Sequence, residues 1–259
     1  MAERCYVYAI IPASATLPTH LAGFGDSLRS IAQGELAAAV SPVKSGEIAA
    51  TPEHLMWHER IVEAVRATNA ALPVRFGTVM EDESALRRAL TEQYDSLRAD
   101  LARLGDKLEL GVTALWGDAP SSEAAHPNGG ERVHSEAATP AEGRGSRYLR
   151  ARMATYRREE SLRQRAERLA AEIDAALCPH ALERRRSLCP SAGLALRTVY
   201  LVDPERLGAF VGAFDALRER RPEARLLLSG PWPPYSFVTG PRESARQTMD
   251  QAASRLSVT

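Results

Sequence analysis

Lysine is almost missing from this 259-residue chain: Lys44 and Lys107 are the only two among 33 basic side chains, and the rest are arginine. Selection for arginine's planar fork is one reading of that bias and coding composition is the plainer one. Cysteine is sparse as well. Cys5, Cys178 and Cys189 form no CxxC or CxxH pair, which leaves neither a disulfide framework nor a zinc site and fits a reducing compartment. Net charge is absent, with 33 basic against 33 acidic residues, so the whole molecule carries no field that would draw it to nucleic acid or anionic lipid. Long apolar runs are lacking. The stretch Cys5 to Ile11 is too short for a secretory signal core and its cleavage site, and far too short to span a bilayer, so a cytoplasmic protein is expected. There is no phosphate-binding loop, no G-x-G-x-x-G after a strand, no G-x-S-x-G elbow and no solenoid repeat.

What is present suffices for one large or two ordinary cores: 44% of residues are hydrophobic and 25% charged. Tyr6 to Ile11, β-branched and aromatic and stopped by Pro12, reads as a buried strand. Leu28–Gln33 and Glu35–Ser41 around Gly34 predict a hairpin closed by Pro42. Thr51-Pro52-Glu53 is a helix start, and the helix should run to about Thr68. Leu72 to Phe76 looks like another strand, ended by Gly77. Leu86, Leu90, Tyr94, Leu97, Leu101 and Leu104 fall on one face of a single predicted helix over 83–104, with Gly105 as its cap. Lys107 to Trp116 alternates as a half-buried strand.

From Gly117 to Ser146 the chain is rich in Ala, Gly, Ser, Pro, Glu and His, with Val133 its one large apolar residue; it is expected to be a flexible linker. Arg147 to Leu177 predicts a long helix with a seam of Leu162, Ala166, Leu169, Ile173 and Ala176. A strand around Leu182–Leu188, a strand Leu194–Val202, a helix opened by Pro204 and a short strand Ala224–Leu228 ended by Ser229 should follow, with a weak helix in the last twenty residues. The expected layout is α+β with two domains: an N-terminal α+β domain over 1–116, the linker over 117–146, and a domain over 147–259 that the long helix enters and whose order is compatible with a ferredoxin-like sandwich.

No catalytic constellation emerges. His54 and His58 share a helix face at i, i+4, but the glutamate of a zincin pair lies outside them, at Glu59, and no third ligand is placed. Glu159-Glu160 and Glu81-Asp82-Glu83 suit a solvated helix face and a helix start. From Arg147 to Arg186 the chain carries eleven arginines and six acids. A solvated helix with Arg/Glu pairs explains them; docking of a partner helix on the apolar seam is a second reading, and nucleic-acid binding a weaker third, since exposed aromatics are few.

Two segments exceed what a fold requires. Leu72-Pro73-Val74-Arg75-Phe76-Gly77-Thr78-Val79 sets an arginine in an apolar strand. Ser229-Gly230-Pro231-Trp232-Pro233-Pro234-Tyr235-Ser236-Phe237-Val238 places three prolines in four residues among aromatics, which forbids regular sheet pairing and fixes an extended path, including room for a cis bond. Such a stiff segment either locks two domains together or offers a binding surface. With the opening Tyr6–Ile10, Gly145–Leu149 and Ala195–Val202, these segments resemble the gas vesicle protein F/L family over nearly the whole chain outside 117–146. The resemblance implies two α+β domains, the second a modified ferredoxin fold. It also implies a non-catalytic accessory protein of gas vesicle assembly, without cofactor or metal. Its expected partner is the small amphipathic shell subunit, with other gas vesicle accessory proteins as further partners. Arg75, Phe76, Trp232, Pro233, Pro234, Tyr235 and Phe237 are the candidate contact residues. The competing reading is a ferredoxin-like regulatory or nucleic-acid-binding module.

Overall fold

The computed structural model describes residues 3–18, 21–24, 26–44, 48–116, 144–188 and 194–239. The linker expected over 117–146, except for its last three residues, and the weak helix expected at the C-terminal end lie outside the described residues.

Strand β1 (Arg4–Pro12) is the spine of the first sheet. Its pairing slips between Val7 and Ala9, a bulge at Tyr8. The extra residue keeps Tyr6, Tyr8, Ala9 and Ile11 in one core while Cys5, Val7 and Ile10 enter another. The predicted hairpin is β2 (Arg29–Gln33) with β3 (Leu36–Val43), turning at Gly34 with φ 63°. β3 runs on through Pro42, because beyond Arg29↔Val40 it has a strand neighbour on the β1 side only, where proline is tolerated.

Helix α1 (Pro52–Arg66) begins as expected: the Thr51 side chain accepts from the His54 N–H, Pro52 opens the helix, and Glu53 sits at the positive end of the dipole. It buries His58, Ile61, Val62 and Val65 against the tyrosine side of β1. The strand expected over Leu72–Phe76 is interrupted. β4 (Leu72–Pro73) and β5 (Val79–Met80) both pair with β1, and between them the Thr78 N–H donates to the Arg75 carbonyl while Gly77 takes φ 83°. Arg75 therefore lies in a turn, where its charge reaches water, and not inside a strand.

The single helix expected over 83–104 is two, α2 (Glu83–Glu92) and α3 (Tyr94–Leu104), separated at Gln93 (φ −111°, ψ 14°). Tyr94 packs on the Gly34 turn, where a Cβ on Gly34 would come 2.9 Å from its ring, and its hydroxyl accepts from the Glu35 N–H. Gly105 caps α3 in right-handed conformation; a Cβ there would lie 2.6 Å from the Leu101 carbonyl and 2.8 Å from Ala70 Cβ, so close packing demands the glycine.

The second sheet is built from β6 (Leu108–Trp116), helix α4 (Arg144–Leu177), β7 (Glu183–Leu188), β8 (Leu194–Val202), helix α5 (Leu207–Arg220) and β9 (Ala224–Trp232). Its order is β7-β8-β6-β9, all antiparallel. β6 is thus an inner strand of this sheet, and the domain boundary expected at residue 116 falls inside a sheet. One sheet face buries Leu110, Val112, Ala114, Leu196 and Tyr200 against Leu169, Ile173 and Leu177 of α4 and Phe210 and Phe214 of α5. The α4 seam is buried at Ala166, Leu169 and Ile173, whereas Met153 and Tyr156 (71% exposed) stand out on the first half of the helix. β9 extends past Ser229, where it was expected to end. Gly230, at φ 106° before a cis Pro231, makes a bulge opposite β6, and a Cβ on Gly230 would meet the Glu109 carbonyl at 2.7 Å. The other face of β8 gives Leu201 and Val199 to the core that holds Val7, Ile10, Leu86, Leu90 and Phe237, so this core joins the two sheets. Among the described residues no helix is long and apolar enough to cross a membrane.

Candidate functional site

Residues 233–239 leave β9 and run back across the junction of the two sheets as a clasp. Two prolines fix an extended path, and side chains from four elements hold it. The Tyr235 hydroxyl donates to Glu59 Oε1 of α1 (3.0 Å). Ser236 donates its N–H and its hydroxyl to the two oxygens of the buried Glu109 of β6 (2.8 and 2.7 Å). Thr239 donates its N–H and hydroxyl to the buried Asp100 of α3 (2.6 and 3.1 Å). Arg103 joins Asp100 (2.8 Å) to the Phe237 carbonyl (3.0 Å) and pairs with Glu183 of β7. Phe237 itself is 0% exposed and lies under the Arg185 guanidinium, 5.6 Å from the ring centre.

Beneath Tyr235 sits a buried polar cluster. His58 Nε2 is 3.0 Å from the Val74 carbonyl, which can only accept, so Nε2 carries the proton and Nδ1 accepts from the Tyr6 hydroxyl at 3.0 Å. Tyr6 Oη in turn accepts from the Gly77 N–H (2.9 Å). Burial pushes His58 down to about 4, against a weaker upward pull from the Val74 carbonyl. Burial also pushes Tyr6 up to about 12, and raises Tyr235 together with the adjacent Glu59 carboxylate. Glu59 is raised by burial, with the Tyr235 hydrogen bond acting the other way. His54, the other half of the i, i+4 pair, is bonded to the Ala49 carbonyl (2.8 Å). Among the described residues no group of three or more His, Cys, Asp or Glu is placed to hold a metal ion.

Beside the clasp opens a cleft of about 660 Å³. Val7 and Ile10 of β1 form its floor, and Leu86, Leu90 and Leu97 of α2 and α3 form one wall. Val74, Met80 and Val238 line the rest of the apolar surface, and the charged side chains that line it are Arg75 and Arg185. Arg75 makes no ion pair among the described residues.

The seven candidate contact residues therefore divide. Pro233, Pro234 and Phe237 are buried in the clasp, Tyr235 is half-buried and hydrogen-bonded, and Phe76 packs against Tyr6, Phe24 and His58. Arg75 and Trp232 (46% exposed) face solvent. The clasp's receptors Glu59, Asp100, Arg103 and Glu109 escaped the sequence reading. Glu109 alone left a trace, as an acid in an otherwise apolar strand. The arginine run is partly absorbed by ion pairs: Arg184 and Arg186 on Asp174, and Arg163 on Glu167.

Comparison with known proteins gives a consistent result. The family model described as "Gas vesicle synthesis protein GvpL/GvpF" matches residues 4–239. Gas vesicle protein L of Streptomyces sp. (strain CB03234) is 31% identical, over 95% of this chain and 96% of its own. Gas vesicle protein F of the same organism is also 31% identical, over 90% and 98%. The crystal structure of the gas vesicle protein GvpF from Anabaena sp. PCC7120 superposes with a TM-score of 0.71 at 18% identity, covering 92% of this chain and 96% of that one. GvpF from Microcystis aeruginosa gives 0.69 at 16%, over 91% and 98%. The two structures share this fold.

Proposed function

The chain belongs to the gas vesicle synthesis protein GvpL/GvpF family, and on that premise we propose that it is an accessory protein which binds the small hydrophobic shell subunit and helps nucleate the vesicle shell. A role in gas vesicle assembly follows from membership. The observation that carries the finer reading is the apolar cleft beside the clasp, with half-buried Val74, Met80, Leu97 and Val238 on its walls. A shell subunit buries its apolar surface in the polymer, and before that it needs cover. A folded protein with an open apolar cleft supplies the cover, and the larger burial in a growing rib draws the subunit away. No bond is made or broken in this scheme, and the protein acts by binding alone.

The architecture supports a two-unit reading. The segment β6-α4-β7-β8-α5-β9 has the strand–helix–strand–strand–helix–strand order of ferredoxin-like folds, and we read it as a ferredoxin-like unit that takes its first strand from before residue 117. Of the candidate contact residues, Arg75 and Trp232 are the ones proposed to meet a partner. Other gas vesicle accessory proteins are proposed as further partners.

The test is co-purification. The full chain, tagged and expressed with the shell subunit, should retain that subunit, and Arg75→Ala, at an exposed residue that lines the cleft, should retain less of it. A folded wild-type protein that captures none would refute the reading.

A further inference from the structure

We propose that the His58 imidazole ties the turn that carries Arg75 to the clasp, so that loosening either segment loosens the other and the clasp sets how Arg75 is presented. The inference concerns the fold of this chain and holds whatever the protein binds.

The ring is caged. Tyr8 stacks on it with ring centres 5.6 Å apart, and Tyr6 and Phe76 make edge contacts with it at 5.7 Å each. His58 is also buried. A ring held in this way answers a change around it by moving a hydrogen bond, not by moving itself.

The turn is pinned to β1 at its two ends. The Val74 N–H donates to the Tyr8 carbonyl and the Val7 N–H to the Thr78 carbonyl, both at 2.9 Å. Between these pins the cluster takes two backbone groups of the turn. His58 Nε2–H donates to the Val74 carbonyl, and Tyr6 Oη accepts from the Gly77 N–H. The carbonyl can only accept and the N–H can only donate, so together they fix the direction of every proton on the path from Gly77 through Tyr6 and His58 to Val74.

The clasp meets the same ring nitrogen. Tyr235 Oη lies 3.4 Å from His58 Nε2, and its proton goes to Glu59, the next residue of α1. One N–H thus faces two acceptors, and the shorter bond, 3.0 Å, goes to the turn. That balance needs Tyr235 to satisfy Glu59, which has no other hydrogen-bond donor among the described residues. Remove the hydroxyl, and the group beyond its vacated place is Nε2–H. A bond to an ionised carboxylate is the stronger one, so the proton is drawn from the Val74 carbonyl. The reverse direction works through the tautomer. Without the Tyr6 hydroxyl, Nδ1 loses its donor and the preference for a proton on Nε2 falls. With the proton on Nδ1 instead, Nε2 accepts from Tyr235, the Val74 carbonyl loses its donor, and so does Glu59. Water takes the proton from Nε2 and returns one to Nδ1, so no charge is created. A buried network with two discrete arrangements couples the segments it holds.

The experiment is amide hydrogen exchange on the full chain, comparing the wild type with Tyr235→Phe, which alters the clasp side, and Tyr6→Phe, which alters the turn side. Each variant is checked for a native circular dichroism spectrum. Helix α5, outside the cluster, is the reference. Both variants should speed exchange by about tenfold at the Gly77 amide and at the Ser236 and Phe237 amides alike, a change of about 1.4 kcal/mol in opening free energy, with α5 unchanged. Long-range proton–nitrogen NMR should find the His58 proton on Nε2 in the wild type and partly on Nδ1 in Tyr6→Phe. If each variant loosens only its own segment, the coupling is refuted. An equal rise in α5 means global opening and refutes it too. A wild-type proton on Nδ1 overturns the proposal even where one of the variants does not fold.

Discussion

Tyr235 reaches across 176 residues of sequence to give its hydroxyl proton to Glu59, 3.0 Å away. The second oxygen of Glu59 is buried with no hydrogen-bond partner among the described residues. A buried carboxylate with one good donor depends heavily on that donor, because losing it leaves the full desolvation penalty unopposed. Tyr235→Phe keeps the ring and removes the proton. It should lower stability by about 1–3 kcal/mol, read as a lower urea midpoint at unchanged m-value. A midpoint that does not move would mean that Glu59 is already satisfied by another group.

Phe237 has no exposed surface and sits in the core that receives Leu201 from the second sheet and Ile10, Leu86 and Leu90 from the first unit. Phe237→Ala opens a cavity at the seam of the two sheets and should cost about 3–5 kcal/mol. Because this one core joins the two sheets, thermal unfolding should also broaden or split in calorimetry. A single sharp transition at the wild-type temperature would show that the seam does not depend on this ring.

Asp100 collects the Thr239 N–H and hydroxyl and one Arg103 nitrogen while 4% exposed. Glu35 meets Arg98 at 2.8 Å on the open surface. Geometry alone would rank the two ion pairs as equals; burial does not. Asp100→Ala takes the acceptor away from the half-buried Thr239 donors and from Arg103 and should cost about 1–3 kcal/mol, whereas Glu35→Ala should cost less than about 1 kcal/mol. Equal losses in a chemical denaturation series would reverse the assignment of Asp100 as an anchor of the clasp.

The strands were legible where the side-chain pattern matches burial. β1, the hairpin around Gly34, β6 and β8 all follow from runs that alternate or are wholly apolar, whereas β7, with three consecutive arginines, follows only from the room left for one more strand. The failures have physical causes. The unbroken leucine stripe from Leu86 to Leu104 hides the break at Gln93, since the stripe records which face is buried and not whether the axis bends. The prolines after Ser229 were read as ending β9, whereas Gly230 absorbs the irregularity as a bulge and Trp232 still pairs opposite Glu109. The boundary at 116 followed a change in composition, and composition does not record that β6 pairs with strands lying beyond residue 144. At the site, the proline-aromatic segment was legible as special, but its use as a clasp depends on Glu59, Asp100 and Glu109, acids that look like ordinary surface residues until the fold brings them together.

The cluster below the clasp should make stability depend on pH in a direction its environment dictates. His58 is held neutral by burial, with its pKa near 4 in the folded chain against 6.5 when free. Between those values the unfolded chain binds a proton that the folded chain refuses, so stability rises with pH across that window. The contribution is fully present above pH 6.5 and is lost as pH falls toward 4, by at most about 3 kcal/mol. Glu59 acts in the opposite sense: its raised pKa means that the folded chain keeps a proton longer, which relieves part of the loss once the carboxyl protonates. At the alkaline end Tyr6, raised from 10.0 to about 12, should make stability fall again as pH climbs past 10. Melting temperature should therefore decline between pH 7 and 5, and in His58→Gln, which has no titrating group there, it should decline less. The His58 ring should show no titration near 6.5 by NMR. A ring that titrates there would mean that water reaches the cluster, and the acid-side dependence would then have to arise elsewhere.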